Sequence, residues 1–208
     1  MRRFFLVKAI LLTILPTLLL AGCGGVLPAH IKAVKVPNNV VFQARATASG
    51  SYNLWGTNFH PAAAVDGITF ESHVPETMWL LPDATTGFLT IDPEGTVKID
   101  RIRLLNTHNS GFNDRGTKDF HVEVVDRDGK TTTVWRDSFP AIGGEWMEKS
   151  LDSVVASRIV VHVDSYFNWG GGLTEIEVIG AQAPITPAVA AAPPSPPSAT
   201  APAVVSEP

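Results

Sequence analysis

Cysteine occurs once in 208 residues, at Cys23. No disulfide can close within the chain, so whatever folds must rest on its apolar core, which about 145 residues can supply. The signatures of common catalytic machinery are also missing. There is no G-x-S-x-G elbow, no H-E-x-x-H helix, no Cys–His pair and no phosphate loop. Gly170-Gly171-Gly172 is not followed by Lys and Ser or Thr, and reads instead as a close backbone approach to the strand that comes next. No window carries a convincing amphipathic-helix period of ordinary length. Positive charge is scarce, with 16 Lys and Arg against 20 Asp and Glu. That excludes a nucleic-acid partner, which needs a basic face.

What is present at the start of the chain is an export signal. Met1-Arg2-Arg3 is basic, Phe4 to Leu20 is apolar apart from Lys8, Thr13, Pro16 and Thr17, and small residues follow. A membrane span needs about 20 apolar residues, and this run is short for one. Leu20-Ala21-Gly22-Cys23 resembles a bacterial lipobox. The resemblance implies that residues 1–22 are a signal peptide, cut before Cys23, and that Cys23 carries a thioether lipid. Several acyl chains on one residue, palmitate among them, anchor stably where one chain is marginal. Three of the 16 basic residues leave with the signal, so the 20 acidic residues then face 13 and the net charge is near −7. Such a balance does not favour electrostatic docking on anionic lipid. The implied location is a bacterial cell envelope, lipid-anchored. Gly24 rather than Asp follows the cysteine, which favours the outer membrane if the bacterium is Gram-negative.

Residues 23–35 then read as a lipidated tether, 36–180 as a folded domain and 181–208 as a disordered Ala/Pro-rich tail. Half of the 16 prolines fall in that tail, and such composition favours extended, solvated backbone. The tail is a passive segment, a spacer through cell wall or a partner-binding strip. Within the domain the strand signal dominates. Phe120, Val122 and Val124 alternate with His121 and Glu123, and Ile159, Val161 and Val163 alternate with His162 and Asp164. Both are the period-two pattern of half-buried strands, which puts His121 and His162 on outer sheet faces. Asp126-Arg127-Asp128-Gly129 predicts a hairpin turn and Asp92-Pro93-Glu94-Gly95 a second turn. The former lacks the later acidic ligand of a calcium loop. Short strands with regular turns predict an all-β sandwich or jelly roll. Carboxylates suffice in number for a paired-acid glycosidase, but one compact sandwich rarely offers the deep cleft, and the chain is read as non-catalytic.

Five segments stand in a telling order. They are Pro61-Ala62-Ala63-Ala64-Val65-Asp66-Gly67, Thr77-Met78-Trp79, Leu89-Thr90-Ile91-Asp92, Val97 to Leu104, and Gly171-Gly172-Leu173-Thr174-Glu175-Ile176-Glu177-Val178-Ile179-Gly180. This series resembles the factor V/VIII type C (discoidin) family, galactose-binding-like domains that include the family-32 carbohydrate-binding modules, over roughly Val36 to Gly180. The resemblance implies a jelly-roll β-sandwich with binding loops at one end, and a structural calcium ion where Asp66 meets Glu175. Those two carboxylates, with the carbonyls of Ala63, Ile68 and Thr174, would supply the hard oxygens that calcium takes. In the family the Thr-x-Trp element follows the aspartate closely, whereas here Ile68 to Glu76 intervenes. Glu71, Ser72 or Thr77 could then complete the ligand set. The alternative is that Asp66 merely caps a turn and Glu175 faces solvent or pairs with a base.

Three loops are rich in polar and aromatic residues: Ser51 to His60, Asn106 to Gly116, and Asp164 to Gly170. A sugar site needs an apolar plate for the ring's C–H face and fixed polar arms for its hydroxyls. Trp55, Phe112, Phe167 and Trp169 are the candidate plates, and Asn53, His108, Asn109, Asn113 and Arg115 the candidate arms. Each also has a structural alternative: the tryptophans packing the loops, Arg115 pairing with Asp114 or Asp119, His108 and Asn109 capping backbone. Trp79, Trp135 and Trp146 fall in strand-like segments and are expected in the core. The function expected is non-catalytic carbohydrate binding, with a protein-docking adhesion or scaffold role as the alternative. Direct phospholipid binding is a weaker third reading, since these loops lack a run of Leu, Met and Phe beside Lys or Arg.

Overall fold

A computed structural model describes residues 32–54, 56–71 and 77–184. The expected signal peptide, Cys23, Trp55, Ser72 and most of the expected tail lie outside the described residues. The first strands are β1 (Arg45–Ala48), β2 (Asn53–Leu54), β3 (Thr57–Asn58), β4 (Trp79–Leu80) and β5 (Gly87–Asp92). Then come β6 (Val97–Asn106), β7 (Arg115–Thr117), β8 (Asp119–Val125) and β9 (Thr131–Ser138). The last are β10 (Trp146–Ala156), β11 (Arg158–Val163), β12 (Tyr166–Asn168) and β13 (Gly172–Gln182). A short 3-10 turn over Pro61–Val65 separates β3 from β4.

Two antiparallel sheets make the sandwich, one in the order β1-β5-β11-β8-β9 and the other β10-β6-β13-β4. The alternation that defines β8 and β11 puts Phe120, Val122, Ile159 and Val161 inside, with no exposed surface. They meet Ile99, Ile102, Leu104, Ile176 and Val178 of the other sheet in one core. Each such side chain contributes about 1.5–3 kcal/mol of burial. Trp135 packs edge-on against Phe120 at 4.9 Å and 89°, a geometry worth about 0.5–1.5 kcal/mol beyond area. The fold is thus the expected all-β sandwich. Asp126 to Gly129 forms the β8–β9 turn, with Asp126 N donating to Lys130 O and Gly129 at φ +82°.

Trp79 and Trp135 lie in the core as expected, but Trp146 does not. Its register partner is Leu105, so it shares the outer face with Arg103, whose guanidinium stacks over the indole at 4.2 Å. In β13 the pairing with β6 shifts between Leu173 and Glu175. This bulge matters for function. Leu173 and Ile176 both face the core, three residues apart, which leaves Thr174 and Glu175 turned elsewhere.

Candidate functional site

The bulge aims Glu175 at the turn that ends the 3-10 segment. Asp66 caps that turn and its Oδ1 accepts from Ile68 N at 2.8 Å. Gly67 follows at φ +79°, where a Cβ would come within 2.7 Å of Val34 O; only glycine fits there. Gly67 N donates to Glu175 Oε2 at 3.1 Å. Glu175 has no exposed surface, and its Oε1 is buried with no hydrogen-bond partner. Burial first, and the Asp66 carboxylate second, push the Glu175 carboxyl up to about 9. Burial likewise raises Asp66 to about 6. Among the described residues neither carboxylate has a Lys, Arg or His ion-pair partner. Two carboxylates in one buried place, one with an orphaned oxygen, are a donor set that a hard cation satisfies. Thr174 adjoins Glu175 in the bulge, and Ala63 and Ile68 flank Asp66 in the turn.

The intervening segment has a use of its own. Glu71 accepts from His108 N at 3.0 Å, from Ser110 N at 2.6 Å and from the Thr174 hydroxyl. It therefore braces the loop after β6 against β13, and its oxygens are committed there. His108 Nδ1 lies 3.2 Å from the same carboxylate.

That loop and two others converge. β7 pairs with β12, Phe167 opposite Gly116, so the third loop runs beside the second. Trp169 N donates to Asp114 O at 3.0 Å. A pocket of about 180 Å³ opens between Tyr52, Leu54 and Phe59 of the first loop and Asn109, Phe112, Asp114 and Arg115 of the second. Arg115 forms its base. It is buried, its guanidinium stacks over Tyr52 at 3.9 Å, Nη1 donates to Leu81 O, and Nη2 pairs with Asp83. Asp114 stands at 4.0 Å, and Asp119 bonds Ser138 and Ser165 instead. Asn109, in the left-handed region at φ 58°, donates from Nδ2 to Asp114 Oδ1 at 2.7 Å. Phe112 is 65% exposed, and beside this loop Trp169 is 64% exposed.

Of the residues singled out by sequence, then, Asn109, Arg115 and Phe112 share the pocket. Asn53 accepts from Gly56 N and caps its own hairpin. Asn113 gives its carbonyl to Asn168 Nδ2, and His108 turns to Glu71. Phe167 packs against the core. Tyr52 lay within the first loop but carried no signal of its own, and Asp114 was marked by sequence only as a partner for Arg115. Asp83 and the Glu71 brace were not visible as parts of these loops, since each joins them only through the fold.

The β-sandwich has the fold of solved family 32 carbohydrate-binding modules and lectin domains. No family model matches the sequence, and no curated protein does; the likeness lies in the structure. A family 32 carbohydrate-binding module from NanJ of C. perfringens, solved with galactose, superposes at TM-score 0.55 and 16% identity, over 67% of this chain and 96% of that one. The lectin domain of Lectinolysin, solved with Lewis B antigen, matches at 0.55 and 19%, over 69% and 96%. A Streptococcus pneumoniae fucose binding module matches at 0.53 and 14%, over 67% and 96%.

Proposed function

We propose that this protein is a non-catalytic carbohydrate-binding module on a lipid-anchored envelope protein, and that the pocket over Arg115 takes the sugar. The observation that carries this reading is the convergence of two loops on a small pocket with an exposed aromatic rim and polar arms inside. Its volume, about 180 Å³, is below the ~300–1,000 Å³ of drug-sized sites, which suits one sugar ring. Phe112 offers the plate, Asn109 and Asp114 the arms, and Arg115 holds the base from beneath. Trp169, tied through its N–H to Asp114, adds an exposed aromatic face beside the pocket. A calcium ion held by Asp66 and Glu175, with carbonyls from Ala63, Ile68 and Thr174, would neutralise the buried carboxylates and stiffen the turn. The ion's role is structural. Lipid on Cys23 provides the anchor, supported by the lipobox-like run.

The test is a glycan array probed with the full chain, with calcium and again with chelator. A hit that Phe112→Ala or Asn109→Ala abolishes supports the reading. Loss on chelation alone ties the loops to calcium. A blank array from folded protein overturns it for the sugars printed. The exposed Phe112 and Trp169 favour a protein-docking surface as the second reading, for which the sign is a partner retained by the wild type and lost from the double Phe112→Ala/Trp169→Ala variant.

A further inference from the structure

On the outer face of the five-stranded sheet, far in sequence from the Asp66 turn, β8 and β11 set two histidines directly opposite each other. His121 and His162 are register partners. Their rings stack at 4.2 Å with 5° between planes. Glu123, two residues along β8, reaches both: its Oε2 lies 3.1 Å from His162 Nε2 and its Oε1 3.9 Å from His121 Nε2. One ligand atom from each of the three residues falls within 4.8 Å of the others. On the far side, Asp164 accepts from His121 Nδ1 at 2.8 Å, and Arg136 Nη1 holds that carboxylate at 3.1 Å.

We propose that His121, His162 and Glu123 form a binding site for a borderline divalent metal, zinc above all, with Asp164 fixing His121 in the ligating tautomer. Two imidazole nitrogens and one carboxylate are a donor set that zinc takes, with a fourth position left to water. They are too poor in oxygen for calcium. A carboxylate on Nδ1–H leaves the Nε2 lone pair for the metal and orients the ring, as outer partners of metal-bound histidine do. All three ligands are half-buried and open to solvent on one side, which provides an entry path. Asp164 holds the His121 ring, so it is the His162 ring that turns about χ2 to bring its Nε2 to the same ion, and the Nε2 proton it gave Glu123 passes through solvent to Nδ1 as the metal binds. Arg136 is turned to Asp164 and does not fill the place between the rings and Glu123. Phe88 covers the other side of His162, its ring centroid 5.7 Å away.

Titrating the full chain with zinc chloride in a calorimeter, and cobalt chloride in a spectrophotometer, tests this. The expected result is one tight equivalent, with cobalt giving the visible absorption of a low-coordinate nitrogen–oxygen site. His121→Gln/His162→Gln should abolish it while circular dichroism stays that of a folded sandwich. Asp164→Asn should weaken affinity ~10–100-fold, the usual effect of losing such an outer partner. Asp66→Asn/Glu175→Gln should leave it unchanged. Failure of the wild type to bind zinc, or zinc binding undiminished in the double histidine variant, overturns the proposal. The latter would assign the metal to His30, His60, His73 or His108.

Discussion

Two clusters in this sandwich bring a carboxylate to the point of needing a partner, and they resolve it differently. Asp66 and Glu175 are turned into the protein beside each other, with backbone N–H groups for company and one Glu175 oxygen orphaned. Glu123 and Asp164 sit half in water and meet two imidazoles and a guanidinium. Burial raises the proton affinity of the first pair, and oxygen is the only donor on offer there. The second cluster is balanced by its own basic groups. Residue types alone would have grouped all four carboxylates together. Burial and the identity of the neighbours separate a pair with an orphaned oxygen from a cluster that carries its own basic partners.

The strongest way to break the comparison is pH. Glu175 holds its proton in the folded state up to about 9, against 4.5 when unfolded. The folded state therefore binds more protons between those limits. Stability is fully present below the lower value and is lost progressively as pH rises toward the higher one. Metal-free melting temperature should accordingly fall from pH 5 to pH 9, and Glu175→Gln should flatten that slope. Calcium at 100 times its Kd should add about 2.7 kcal/mol to the wild type, with the gain greatest at alkaline pH and missing in Asp66→Asn. Unchanged melting with calcium at pH 8 would remove the ion from this turn.

A smaller effect comes from the backbone between the two carboxylates. Gly67→Ala forces a side chain into the left-handed region against Val34 O and should cost about 1–3 kcal/mol in denaturant titration. Phe112→Ala should cost glycan affinity about tenfold, near 1.4 kcal/mol, while stability moves by no more than about 0.5 kcal/mol, as for other exposed side chains. Trp169→Ala should affect binding less, because Trp169 does not line the pocket. The stability change for His121→Gln is also small, about 0–1 kcal/mol as for ion pairs near the surface. Thermal melts without metal should barely separate it from wild type, in contrast to Glu175→Gln.

The amino-acid order by itself determined the all-β character, the inward faces of β8 and β11 and the Asp126–Gly129 turn. Those features depend on local chemistry: period-two alternation needs only the pleat, and Asp-Gly needs only its own dihedrals. It also marked the aromatic loops, though not which residues in them would share a pocket. Only the tertiary structure decided that Trp146 faces out beneath Arg103, that Glu71 braces the loop after β6, and that Arg115 finds Asp83 and Tyr52. The same holds for His121 opposite His162. Alternation gives the face of a strand, but register decides who stands across from whom, and a slip of β11 by one residue would send His162 into the core and part it from His121. Pairings between residues dozens of positions apart are fixed by the packed sheets as a whole, and no local pattern records them.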